Sequence, residues 1–216
     1  MKTYAKPRTL TVSRLSSLQG DGKIYLDDAF QSNTRWGIRT KQTYIASVLE
    51  GRAITPITLG KISSLRDTVE REYGYEHEDF KYFSNLLDSG FEWITIDGNN
   101  RDNTLCEFLN GEFPLQENEY RIDYNNLSVF NATKETKYFG DLSPDVQKYI
   151  SDIQLNILEV IQSDRKGLAV LFSNINEGVP LNDQEKRNAI PSRTVSYTHL
   201  RAHETRGNLV CRLLLE

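Results

Sequence analysis

The stretch Asp97-Gly98-Asn99-Asn100-Arg101 puts a carboxylate, two carboxamides and a guanidinium beside a glycine. These groups handle anions. The guanidinium is a charged, forked donor and the amides are neutral donors, while the carboxylate can orient a water, hold a metal or act as a base. The flanking residues say where the cluster sits. Phe91-Glu-Trp-Ile-Thr-Ile96 is an apolar run, and Leu105, Phe108 and Leu109 recur at i, i+3 and i+4. That pattern predicts a strand, a tight turn and a helix, with the cluster at the helix start. Two readings stand side by side. Asp, Asn and Gly favour turns and caps for local reasons. A helix N-terminus also offers free N–H groups and the positive end of a dipole to a phosphate. Arg101 in the first turn opposes that dipole, which an anionic ligand would explain, whereas Asp97 could equally serve to fix Arg101 in place.

Other reactive residues carry less. Two of the three histidines, His199 and His203, lie four apart near Glu204 and Cys211, a spacing that on a helix can hold a metal. However, VSYTHLRAHETRGNLVCRLLLE (195–216) closely resembles the conceptual translation of a sequencing-library adapter. The natural sequence is therefore expected to be residues 1–194, cut short at its C-terminus, and no metal site is expected. The acidic, aromatic stretch 65–82, with Glu76-His77-Glu78-Asp79, has no second His or Cys in ligand spacing and reads as a solvated helix face. The chain has no Gly-x-x-x-x-Gly-Lys-Ser/Thr loop, no Gly-x-Ser-x-Gly elbow and no Gly-x-Gly-x-x-Gly. Walker-type ATPases, α/β-hydrolases and Rossmann dehydrogenases are disfavoured accordingly.

Composition sets the outer bounds. With 216 residues, 38% hydrophobic and 26% charged, the chain suits one mixed α/β domain. A domain of this size buries roughly 70% of its unfolded surface and needs no covalent staple. Two cysteines are too few for a disulfide framework. No apolar run approaches a bilayer span and the first residues lack a signal-peptide core, so a cytoplasmic protein with no membrane partner is expected. The formal charge of −4 gives no global positive field for nucleic acid, so any DNA contact must be local or lie in a part outside this chain.

The elements that must position the cluster follow from periodicity and punctuation. Strands are expected at Thr9–Val12 and Ile24–Leu26, with a helical turn around 14–18 between them. A polar loop over 27–36 carries two aromatics. A helix follows at 39–50, stopped by Gly51, then a strand over Ile54–Leu59. Two helical pieces over 62–89 break near Tyr73-Gly74-Tyr75. Residues 112–142 read as polar and irregular, with strand potential at Glu119–Ile122. Ser143-Pro144 starts a helix as N-cap and N1. A strand at 153–161, a helix at 164–175 and a last helix at 183–189, opened by Asn182-Asp-Gln-Glu185, complete the series.

Three ordered stretches carry a resemblance. They are Phe30-Gln31 with Trp36 followed by Ser47-Val-Leu-Glu-Gly51-Arg-Ala-Ile54 and Pro56-Ile57; Ile96-Asp97-Gly98-Asn-Asn-Arg101 with Thr104-Leu105 and Phe108-Leu-Asn-Gly111; and Leu171-Phe172 with Asn176-Glu-Gly178-Val-Pro180-Leu181, Gln184-Glu185 and Arg187-Asn188-Ala189. Together, over about residues 8–191, they resemble the N-terminal domain of GmrSD-type restriction endonucleases, in the ParB/sulfiredoxin-like superfamily. The resemblance implies a ParB-like α/β fold with helical insertions. It also implies a nucleotide-binding sensor domain of a modification-dependent anti-phage protein, whose His-Asn-His nuclease domain would lie beyond this chain and make the DNA contact. The expected cofactor is a nucleoside triphosphate with Mg²⁺. Carried over residue by residue, Asp97 and Arg101 take catalytic roles, and Gly98, Asn99, Asn100 and Thr104 join Gln31 and Trp36 in binding nucleotide. Gly178 and Pro180 shape a loop, and Glu185 and Arg187 are mainly structural.

Departures from the family pattern bear on activity. Asn99 and Asn100 stand where the family has Gln, and Ser32 and Thr34 replace an Arg and a Tyr, with Arg35 close by. NTP hydrolysis is therefore left open. The alternatives are a non-enzymatic ParB-like nucleotide or DNA switch, and a degenerate phage-borne interaction module. The identity of the nucleotide and the oligomeric state are not readable from the sequence.

Overall fold

The computed structural model describes residues 1–27, 30, 35–52, 54–124 and 127–176. Gln31, Ser32, Thr34, Gly178, Pro180, Glu185, Arg187, the expected helix at 183–189 and the adapter-like tail lie outside them. The described chain is mixed α/β, as its alternation of strand and helix patterns implies.

The elements run β1 (Tyr4–Thr11), α1 (Val12–Gly20), β2 (Ile24–Leu26), α2 (Ile38–Leu49), β3 (Ile57–Lys61), α3 (Ile62–Tyr73), α4 (Glu78–Asp88), β4 (Trp93–Asp97) and α5 (Asn99–Leu109). Then follow β5 (Asn118–Tyr124), β6 (Leu127–Ala132), a short 3₁₀ turn, α6 (Pro144–Asp152), β7 (Gln154–Gln162) and α7 (Arg165–Asn176). Five strands form one sheet in the order β1-β7-β3-β4-β2. The pairs β2–β4 and β3–β7 are parallel, whereas β3–β4 and β1–β7 are antiparallel.

Alternation along the strands divides the core between the two faces of the sheet. Ile57, Leu59 and Trp93 join α1, α2, α5, α6 and the hairpin in one buried cluster. Ile94, Ile96 and Val160 join α3, α4 and α7 in the other. On that second face Gly60 allows close approach, since a Cβ there would meet Ile94 Cγ2 at 2.8 Å and Leu65 Cδ1 at 2.9 Å.

Several expectations shift. β1 begins at Tyr4, because an edge strand tolerates the outward Lys6, Pro7 and Arg8 that mask its pattern. β3 begins three residues later than expected, beyond Pro56, whose missing N–H suits the lead-in better than the ladder. The stretch read as irregular holds an antiparallel hairpin, β5–β6, in which Tyr120 stacks on Phe130 at 5.0 Å. Ser143 is the N-cap of α6, but its side chain makes no capping bond. The stretch around His77 is more than a solvated face. The His77 Nδ1 accepts the Asp79 N–H to cap α4, Asp79 Oδ2 accepts the Arg165 N–H at the start of α7, and Leu65, Val69 and Phe83 are buried. Among the described residues no helix is long and apolar enough to cross a membrane.

Candidate functional site

β4 ends at Asp97, Gly98 turns the chain, and α5 starts at Asn99. Gly98 is the helix N-cap at φ +100, left-handed backbone that side chains rarely adopt. A Cβ at this position would also lie 3.1 Å from Ile57 and 3.2 Å from Arg101 Nε. Glycine is thus required twice, for backbone conformation and for space. A glycine N-cap brings no side-chain oxygen, so Gly98 makes no side-chain capping bond to α5. The N-cap is thus Gly98 rather than Asp97, Asn99 or Asn100.

Asp97 accepts a charged hydrogen bond from Arg101 one turn along, and Arg101 Nη1 donates to the Thr55 carbonyl at 3.2 Å. The antiparallel register, with Thr58 opposite Asp97, carries Thr55 to this place. Both charged side chains are largely buried, at 13% and 19% exposed. Their pairing holds the guanidinium at a helix start where the dipole alone would disfavour it. Further along, the Asn99 side-chain oxygen accepts from Asn103 Nδ2 at 2.8 Å. Thr104 is fully buried, its hydroxyl donating to the Asn100 carbonyl at 2.6 Å. It stands one turn inside the helix and supports the turn from within, away from the cavity wall.

These residues border a cavity of about 340 Å³. Its polar side is Thr55, Asp97, Gly98, Asn99, Asn100, Arg101 and Asn176, and its apolar side is Phe30, Trp36, Phe172 and Ile175. Phe30 and Phe172 are in tilted ring contact at 5.6 Å. Trp36 meets Tyr44 edge to face at 5.4 Å. Of the expected site residues, Asp97 to Arg101 and Trp36 therefore line one cavity, while Gln31 lies outside the described residues. Phe172, Ile175 and Asn176 come from the end of α7, and Thr55 from the lead into β3. Their apolar periodicity and extended pattern were readable, but which element they would face was not, because sheet order decides it.

Beneath the cavity lies a buried polar layer. Asp102 is fully buried, and burial pushes its carboxyl from the ordinary 3.8 to about 7. The Gln19 amide nitrogen, in the orientation that satisfies its neighbours, donates to both Asp102 oxygens at 3.0 and 3.2 Å. Cys106 Sγ lies 3.8 Å from Oδ1. Burial, with Asp102 beside it, also pushes the Cys106 thiol up to about 12, so it stays protonated at neutral pH. The Tyr44 hydroxyl is driven upward by burial, opposed by Arg101 and reinforced by Asp102, and has no hydrogen-bond partner among the described residues.

Among the described residues no three His, Cys, Asp or Glu side chains gather as a metal site. Asp97 is the carboxylate that lines the cavity. A magnesium ion here would be held chiefly by ligand phosphates and water, as is usual for that ion. Compared with known protein families, with curated proteins and with solved structures, the chain finds no match.

Proposed function

We propose that the cavity binds a nucleotide, with phosphate at the α5 start and the base against the aromatic wall. One observation carries this reading: a helix N-terminus with a glycine N-cap and a held guanidinium faces three aromatic rings across one cavity. The N–H groups of the first turn and the Arg101 fork suit phosphate oxygens. Trp36, Phe30 and Phe172 suit a flat apolar base. The volume falls within the range usual for small-molecule sites. Read with the GmrSD-like motif order, the domain is a nucleotide-responsive sensor of a modification-dependent restriction protein, with Mg²⁺ arriving on the triphosphate and DNA handled by a part outside this chain.

A second reading, the non-enzymatic switch, is favoured by the Asp97–Arg101 pair. A carboxylate committed to a guanidinium is a positioning group rather than a free base. Binding without turnover is then the expected behaviour.

Calorimetric titration of the full chain with ATP, GTP and CTP in magnesium tests both readings, alongside phosphate release. One nucleotide is expected to bind, and Arg101→Lys is expected to lose about 1.5 kcal/mol of that affinity by removing the fork while keeping the charge and the Asp97 pair. Phosphate release would choose enzyme over switch. A folded chain that binds none of the three would reduce residues 97–101 to scaffold.

A further inference from the structure

Asp102 sits in the first turn of α5, one residue beyond the guanidinium of the cavity, and its N–H donates to the Gly98 carbonyl at 2.9 Å. The helix contributes Asn99 to Arg101 to the cavity wall, and Asp102 lies behind it, fully buried. The elements packed there supply few charges. From α1 come Gln19, whose amide donates to both carboxylate oxygens, and Ser16, which reaches Cys106; both are neutral. From α2 come the Tyr44 hydroxyl, which feels both Arg101 and Asp102, and Lys41, which is paired with Glu107 of α5. The charged residue of β3 is Lys61, at its far end beside Glu92, and Asp141 of the 3₁₀ turn is exposed. α5 itself adds Cys106 and Arg101.

Two carboxylates thus stand near the start of α5 against one guanidinium, which Asp97 already holds. An anion bound there adds a further negative charge, and its repulsion with a buried carboxylate is screened little by salt. Asp102 can give up its charge without breaking an ion pair among the described residues. Protonating Asp97 would release Arg101, whereas Cys106 and Tyr44 are already neutral because burial pushes both upward.

We infer that the cavity takes up its phosphate-bearing ligand together with a proton, and that the Asp102 carboxyl receives it. This rests on the nucleotide reading above and deepens it by naming how the site is regulated: acid tightens binding and alkali loosens it. Burial already holds this carboxyl at about 7, so a modest rise on binding carries it across neutral pH. The sign follows from linkage. In the free chain Asp102 loses its proton as pH rises through about 7, and in the bound chain it does so later. Affinity is therefore greatest below that midpoint, falls as pH rises, and levels off once the bound form has lost its proton as well.

The test is calorimetric titration of the full chain with ATP, GTP and CTP in magnesium, from about pH 6 to about pH 9, in paired buffers of different ionisation heat. The difference between buffers counts the protons exchanged. For a rise of about one pH unit on binding, about half a proton is taken up per nucleotide near pH 7.5, and Asp102 accounts for an affinity loss of about 8-fold across the range. Asp102→Asn keeps a carbonyl for the Gln19 amide and cannot take the proton. It is expected to abolish that uptake, to match the wild-type chain near pH 6 and to bind about 8-fold more tightly near pH 9. The ligand's own phosphate titrates alike with both chains, so their difference isolates Asp102. In the wild-type chain, the Asp102 carboxyl-carbon resonance is expected to show its midpoint rising from about 7 to about 8 when nucleotide binds. Nucleotide binding with equal proton counts in the two chains, or with an unmoved carboxyl midpoint, overturns the inference and leaves the nucleotide pocket standing. An affinity change by one factor at every pH also overturns it, by reducing Asp102 to a structural group. A folded chain that binds none of the three nucleotides at any pH overturns both readings.

Discussion

Asp102 and Asp164 are both buried aspartates near a helix start, yet they are treated in opposite ways. Asp164 accepts from the Gly167 N–H at 2.6 Å and the Tyr73 hydroxyl at 3.1 Å, and lies 3.6 Å from the Met1 ammonium. Ser163 beside it shares a 2.8 Å hydrogen bond with Thr3. This carboxylate anchors the chain start, α3 and α7 together, and its charge is matched. Asp102 has an amide and a thiol around it and no cation paired with it among the described residues. The difference lies in what each region is for. A matched buried charge holds elements together, whereas an unmatched one costs stability. That cost falls beneath the cavity, on the face that carries Arg101, Tyr44 and Trp36. Concessions of this kind concentrate where a protein is shaped for a ligand rather than for its own stability.

The comparison can be broken most directly at Asp164. Asp164→Ala strands an N–H, a hydroxyl and an ammonium, and is expected to cost on the order of 3 kcal/mol by urea denaturation. A loss near zero would mean that the anchor contributes nothing. At Asp102 the sign reverses. Its folded carboxyl titrates above its unfolded value, so the folded state binds the extra proton between about pH 4 and pH 7. Stability is therefore expected to fall as pH rises through that window. Asp102→Asn should flatten the slope and gain on the order of 2 kcal/mol at pH 8, with little change at pH 4. Identical pH profiles for the two proteins would remove the unmatched charge from the account.

Gly98→Ala sharpens the same contrast on the cavity side. The left-handed backbone and the crowding by Ile57 predict a loss of about 1.5 kcal/mol, together with weaker nucleotide binding in the same titration. The smallest expected effect is a gain of about 1 kcal/mol in thermal melts for Tyr44→Phe, which removes a buried hydroxyl with no hydrogen-bond partner among the described residues. A large loss there would reveal a partner for the hydroxyl inside the protein.

The sequence made the centre of the fold readable and left its long-range closure hidden. Strand β4, the turn at Gly98 and helix α5 follow from local pattern, because alternation, a glycine and an i, i+3, i+4 repeat are properties of neighbours. The break between α3 and α4 at Gly74 is local too. The β5–β6 hairpin was masked by polar outward residues such as Asn118, Glu119 and Arg121 on a surface ribbon. The aromatic wall was half readable. Trp36 stood out by type, but Phe172 and Ile175 reach the cavity only because β7 lies next to β3, which no local signal announces. Asp102 was passed over because an aspartate one turn into a helix looks like a surface residue until α1 and α2 are packed over it.

The register of the edge strand carries a temporal consequence. Among the described residues β1 has β7 as its sole neighbour in the sheet, with Tyr4 opposite Gln162 and Thr11 opposite Gln154. Of the described strands, β1 leaves a ribosome before the others, and its ladder waits longest for its partner. Until β7 emerges, the row of donors and acceptors along Tyr4–Thr11 can be satisfied only by water or by some other strand. Lys6, Pro7 and Arg8 sit in that row, and a proline flanked by two cations is a poor template for a stray strand. The residues that blunt the finished edge therefore also guard the nascent chain through its longest interval of exposure.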